Sequence, residues 1–202
     1  QLHWLGLAGD GVPAQAEQPT SSAPITLFAD GGYAVLRPAT SSWALFRLPT
    51  YRFRPAHVDP LHLDLWHQGV NLLRDGGSYA YNASFEDLAV FPGIASHNTV
   101  QFDGAEPMPR LGRFLWGDWL QLEAPPQLQP SSITAAYRCP HGRHQRQVKL
   151  DSSGQRWIIT DTCSGFQNQA LLRWRLCPGE WRLEGTSLMG PTATLQIRCD
   201  QT

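Results

Sequence analysis

The chain is a succession of short extended runs. ITLFA, YAVLR, WALFRL, LHLDLW, NLLRD, NTVQF, WLQLEA, ITAAYR, RQVKL, RWIITDT, LLRWRL and TLQIR follow one another from residue 25, punctuated by Gly, Pro, Asp and Ser. Few stretches space their apolar residues at the period of a helix. This is the pattern of an all-β sandwich or barrel, and the expected fold is a large antiparallel β-sandwich. With 202 residues, 42% of them hydrophobic, the chain is long enough to bury the core that such a domain needs.

Residues 8–24, AGDGVPAQAEQPTSSAP, carry Gly, Pro, Ala and Ser with almost no apolar periodicity. Residues 1–24 are therefore expected to be a linker or the tail of a preceding domain, and residues 25–202 the folded domain. The opening QLHWL reads like the end of an earlier element, so a longer parent protein is expected. Sixteen Lys plus Arg against seventeen Asp plus Glu give a net charge of −1. Bulk attraction to nucleic acid or anionic lipid is not expected from that balance, and no run reaches the roughly 18–20 apolar residues of a membrane span. Cys139, Cys163, Cys177 and Cys199 are widely spaced without a CxxC pair, and are read as free thiols that act as small buried hydrophobes.

The stretch RPAHVDPLHLDLW concentrates the chain's coordinating chemistry. Alternation along a strand turns Leu61, Leu63 and Leu65 to one face and His62, Asp64 and Trp66 to the other. His67-Gln68-Gly69 offers a turn, and Val70 to Asp75 is expected to return as the partner strand of a hairpin. His57, Asp59, His62, Asp64, His67, Asp75 and His97 are the densest group of potential ligands, and imidazole nitrogens with carboxylate oxygens suit Zn²⁺. Without an HExxH or paired-Cys motif, the same residues also read as ordinary surface and turn groups.

RPAHVDPLHLDLWHQGVNLLRDGGSYAYN followed by SHNTVQFDG resembles the C-terminal β-sandwich domain of the heparinase II/III family of polysaccharide lyases. The likeness rests on His57 and Asp59 in an HxD element, on LLRDGGSYAY around Asp75, and on HNTV at His97 with the DG at Asp103. It implies a zinc ion bound by His57, Asp75 and His97. A straight hairpin turning at Gln68-Gly69 would instead set Asp75 opposite His62, with His57 roughly 16 Å further along at about 3.3 Å per residue. His62 is therefore the rival ligand, unless Pro60 breaks the strand and lets His57 fold back.

The resemblance further implies a bacterial parent enzyme that cleaves an acidic, uronate-containing polysaccharide such as a glycosaminoglycan by β-elimination, in the periplasm or the cytoplasm. Its main base and acid would come from a preceding helical toroid domain outside this chain. The zinc would be mainly structural, at the edge of the substrate cleft, with Arg54, Tyr79 and Tyr81 as candidate substrate-side residues. One departure stands out: many family members have a second histidine, implicated in catalysis, where this chain has Pro55, which can transfer no proton. The alternatives are a non-catalytic carbohydrate-binding module, for which Trp116, Trp119, Trp157, Trp174 and Trp181 would matter most, and a structural sandwich that packs on a neighbouring domain.

Overall fold

The structure, a computed structural model, describes residues 24–37, 41–80, 82, 84, 86, 90–151, 153 and 156–200. Tyr81 and almost all of the expected linker 1–24 lie outside the described residues. The first sheet is an antiparallel meander of five strands in chain order: β1 (Ile25–Phe28), β2 (Tyr33–Leu36), β3 (Ser42–Arg47), β4 (Leu63–His67) and β5 (Val70–Leu73). The chain then runs through a short 3-10 turn (Ile94–Ser96), β6 (Val100–Phe102) and a small hairpin of β7 (Arg110–Gly112) and β8 (Leu115–Trp116). The second main sheet has the order β12-β11-β10-β9, formed by β9 (Gln127–Gln129), β10 (Ser132–Cys139), β11 (Gly142–Leu150) and β12 (Trp157–Ser164). β13 (Ala170–Leu172) pairs with β6, and β14 (Arg182–Glu184), β15 (Ser187–Met189) and β16 (Thr194–Gln196) form a last small sheet.

The two main sheets make the expected antiparallel sandwich because each carries one apolar face. Ser42, Ala44 and Phe46 of β3 are buried while Trp43 and Leu45 are half-buried, and Leu63 and Leu65 of β4 continue that face. Ala44, Phe46, Leu63 and Leu65 share one core with Ile133, Tyr137 and Val148 of the second sheet, and each buried Leu, Ile, Val or Phe side chain contributes about 1.5–3 kcal/mol. Trp43 and Trp66 face one another across β3 and β4 and stack at 5.5 Å. At one edge Trp157 Nε1 donates to Ser42 Oγ at 2.7 Å, which joins the sheets. All four cysteines are free.

Two expected runs behave differently. WLQLEA makes only an isolated bridge, Leu122 to Tyr137, before Pro125 and Pro126, which have no N–H to give a ladder. LLRWRL is a strand only to Leu172 and then changes partner. Arg173 N–H donates to the Thr99 carbonyl, the Arg175 carbonyl accepts from Arg74, Leu176 bridges to Leu73, and Cys177 N–H donates to Leu72. The segment 173–177 thus stitches the end of β5 to the loop before β6.

The hairpin turns where expected. Gln68 and Gly69 both have positive φ, 49° and 79°, which suits the twist of a two-residue connection. β5, however, ends at Leu73 rather than Asp75, and a bulge at Leu65/Trp66 pairs Leu65 with Leu73. Upstream of β4, Pro60 does break the strand. His62 N–H returns to the Asp59 carbonyl at 3.1 Å, and Leu61 adopts φ 56°. That conformation is costly for a branched residue. It is held because Leu61 is fully buried, its carbonyl accepts from Arg146, and the Pro60 carbonyl accepts from Thr99 Oγ1 at 2.6 Å.

Candidate metal centre

The Pro60 turn folds the loop 49–62 back over the end of the hairpin. Trp116 Nε1 donates to the Ala56 carbonyl at 3.3 Å and Val58 N–H to the Pro92 carbonyl at 2.8 Å, so the backbone is fixed on both sides of His57. Asp75 follows β5 by two residues in the DGG element, and both glycines have a reason. A Cβ on Gly76 would lie 2.6 Å from the Ser96 carbonyl oxygen, and Gly77 sits at φ 70°. The close approach at Gly76 puts its N–H on Ser96 at 3.1 Å, while Gly77 N–H donates to Asp75 Oδ1. His97 ends the Ile94–Ser96 turn, whose first N–H is received by the Glu106 carboxylate at 3.1 and 3.2 Å.

His57, Asp75 and His97 are thereby brought together, with one donor atom from each within 4.8 Å of the others. His97 Nδ1 lies 2.9 Å from Asp75 Oδ2, and His57 Nε2 3.0 Å from Ser78 Oγ. A carboxylate can only accept, so Nδ1 of His97 carries the proton in this arrangement. Its Nε2 is buried with no hydrogen-bond partner and, in the neutral ring, carries a lone pair. Burial, and next the proximity of His97, lower the His57 pKa. Burial pushes Asp75 upward, but the His97 hydrogen bond, the electrostatic influence of His97 and His62 and the Gly77 N–H together outweigh it and hold the carboxyl well below its usual range. Neutral imidazoles and an ionised carboxylate are the forms that bind a metal. Donors sharing one ion at about 2.0–2.2 Å stand roughly 3.3–3.6 Å apart in tetrahedral geometry, so the three side chains would have to adjust their spacing to take one ion.

His62 also reaches Asp75, with Nε2 3.4 Å from Oδ2. It differs from the other two histidines in one respect. Its Nδ1 accepts the backbone N–H of Asn98 at 2.9 Å, so in the neutral ring the proton sits on Nε2, which then has no lone pair for a metal. His62 thus lies beside Asp75, and the Pro60 turn brings His57 there as well.

The remaining candidates separate. Arg54 is exposed in the loop before His57. Tyr79 is 69% exposed at φ 61°, outside any strand, and stacks on Phe91 at 5.2 Å. Its neighbour Ser78 contacts His57. Asp59 pairs with Arg47 at 3.4 Å, and Asp64 accepts from Asn71 at 3.2 Å. Pro55 is buried. Of the five tryptophans singled out, only Trp119 is exposed, and its Nε1 is given to the Trp116 carbonyl.

Asn98, a residue type suited to satisfying backbone groups at turns and strand ends, and Arg146, which the sequence reading missed, hold the surroundings of the site together. Asn98 is fully buried and donates through Nδ2 to the carbonyls of Leu63 and Arg74, accepts at Oδ1 from Arg175 N–H at 2.6 Å, and gives its own N–H to His62. Arg146 is fully buried on β11, bonded to both carboxylate oxygens of Asp161 at 2.7 and 3.1 Å and to the carbonyls of Leu61 and Asn98. The available signal was alternation: Arg146 shares a strand face with Val148.

The model of the family described as heparinase II/III-like, C-terminal, matches residues 20–197. The chain belongs to that family. Two solved structures share the fold of this heparinase II/III-like domain. The heparinase III BT4657 gene product with methylated lysines is 19% identical, with a TM-score of 0.66 over 83% of this chain and 26% of that one. A heparinase III crystal structure is 17% identical, with a TM-score of 0.59 over 82% and 27%. The chain thus spans about a quarter of the length of the structures it matches. No curated protein matches it in sequence.

Proposed function

We propose that this domain is the C-terminal β-sandwich of a polysaccharide lyase that cleaves a uronate-containing polysaccharide by β-elimination, and that His57, Asp75 and His97 hold a zinc ion beside the substrate cleft. The observation that carries the metal part is the convergence of two imidazoles and a carboxylate around a buried His97 nitrogen that has no other partner. The ion, when bound, would cross-link the His57 loop, the end of the hairpin and the His97 turn, a structural role.

β-Elimination removes the proton at C5 of the uronate and expels the oxygen at C4, which requires a carboxylate neutraliser, a base and an acid. Arg54 is suited to the first task and Tyr79 to contact with the sugar, with Tyr81 as a further candidate. With proline at position 55, base and acid are assigned to the preceding helical toroid. The test is a comparison of the full-length parent with this chain on uronate polymers. The parent is expected to generate the ultraviolet absorbance of an unsaturated product and the chain none; sustained product formation by the chain alone would sink this division of labour.

A non-catalytic sugar-binding role has one observation in its favour. Trp119 lines an open cavity of about 310 Å³ together with Asp118, Gln121 and Arg138, and an aromatic face with polar neighbours suits a sugar ring. Oligosaccharide binding by the isolated chain that disappears in Trp119→Ala and ignores chelators would favour that reading.

A further inference from the structure

The His62 ring does two jobs with its two nitrogens. Nδ1 receives Asn98 N–H at 2.9 Å. Nε2 lies in a fork between carboxylates, 3.4 Å from Asp75 Oδ2 and 3.6 Å from Asp64 Oδ2, in a side chain that is 6% exposed. No hydrogen bond is formed there in this arrangement. The ring also meets His97 edge-on at 5.5 Å. Asp64 is anchored on its other oxygen by Asn71 and His62 by Asn98, while Asp75 is held by His97 Nδ1 and Gly77 N–H, so His62 approaches a carboxylate already turned toward His97.

We propose that His62 is a positioning residue for the metal centre: its Nε2–H steers the Asp75 carboxylate toward His57 and His97 and closes on Asp75 Oδ2 when an ion is bound. This rests on the metal reading above. Groups that hydrogen-bond a ligand carboxylate set its orientation and basicity, and removing one typically weakens metal affinity by about 10–100-fold. The inference turns the rival ligand into a partner of the true ones.

Two substitutions divide the two jobs. His62→Asn places an acceptor near the Nδ1 position and removes the Nε2 donor, whereas His62→Gln extends a donor toward the Nε2 position. The full chain, stripped of metal, is titrated with Zn²⁺ alone, and the metal-free melting temperature of each variant is measured separately. The expected result is a metal-free His62→Asn close to the parent in melting temperature with zinc affinity reduced about 10–100-fold, and His62→Gln restoring the affinity to within about threefold at a lower metal-free melting temperature. Nitrogen-15 spectra of the metal-free chain should show His62 as the Nε2–H tautomer. An Nδ1–H tautomer, or a His62→Asn variant that binds zinc as tightly as the parent, would overturn the inference while leaving the metal site intact. A parent chain that takes up no zinc would overturn both.

Discussion

Arg146 Nη1 donates to the Asn98 carbonyl at 2.6 Å, so a guanidinium on the second sheet holds the backbone one residue from His97. The same nitrogen donates to the Leu61 carbonyl at 2.7 Å, one residue from His62. Asp161 neutralises the cation with a bidentate pair, and the Trp174 ring covers it at 4.8 Å from the centroid. The candidate centre is therefore built from the loops beside the β4–β5 hairpin and the turn before β6, and is braced from the second sheet.

Asp161→Asn is expected to destabilise the fold by about 3–5 kcal/mol, because it leaves the Arg146 charge buried without its counter-ion. For a domain of this size that is a fall of about 6–20 °C in melting temperature, read by thermal unfolding. Arg146→Met should cost a similar amount, since the carbonyls of Leu61 and Asn98 and the Asp161 carboxylate all lose a donor. A change of only a degree or two in both variants would show that the brace does not hold the fold.

Asn98→Ala removes the partner of two carbonyls and one N–H in the interior, at a cost of about 3 kcal/mol. Denaturant unfolding should show a lower midpoint at unchanged slope. Asn98→Asp should be at least as damaging, because its carboxylate would turn a lone pair toward the Leu63 and Arg74 carbonyls.

The two glycines after Asp75 should respond differently. At Gly77 a Cβ meets nothing within 4 Å, so Gly77→Ala carries only the backbone penalty of a left-handed residue, about 1 kcal/mol. At Gly76 a Cβ would press on the Ser96 carbonyl and the Arg175 side chain, so Gly76→Ala must push the Asp75 and His97 arms apart. Zinc affinity should fall markedly in Gly76→Ala and little in Gly77→Ala, as isothermal titration would report.

Much of this was legible in the sequence. Period-two alternation in LHLDLW gave one core face, and Gln68-Gly69 gave the hairpin, because both follow from local backbone geometry. The trio His57, Asp75 and His97 was legible only through family resemblance, since what joins its members is the Pro60 turn, where Leu61 is held at positive φ by contacts from residues far along the chain. For the same reason the bulge at Leu65 and the partner change at Arg173–Cys177 were out of reach. Nothing local in RQVKL announces that the partner of Arg146 is Asp161 on the next strand.

Acid should weaken the fold in two stages. Burial, against the opposing hydrogen bond that His144 gives to Asp161, lowers the His144 pKa, and His57 is lowered too. A histidine lowered by folding is protonated more readily when unfolded, so its stabilising effect is full above the unfolded pKa of about 6.5 and fades as pH falls below it. Asp161 is pushed up by burial and pulled further down by Arg146 and His144. Its contribution is present above the unfolded value of about 3.9 and is lost as pH drops toward the depressed folded one. In the presence of a chelator the melting temperature should be flat near pH 7–8, decline below about 6.5 and fall steeply below about 4. A melting temperature that rises on acidification would contradict these signs.

The most direct measurement is the metal content of the purified chain, by elemental analysis, beside that of His97→Ala. The parent should carry one zinc per chain and lose melting temperature when a chelator removes it, by linkage to the folded state, while His97→Ala should carry none and melt at the same temperature with or without the chelator. A parent chain that remains metal-free after incubation with zinc, or a His97→Ala chain that retains a full equivalent, would contradict the assignment of His57, Asp75 and His97 as a metal centre.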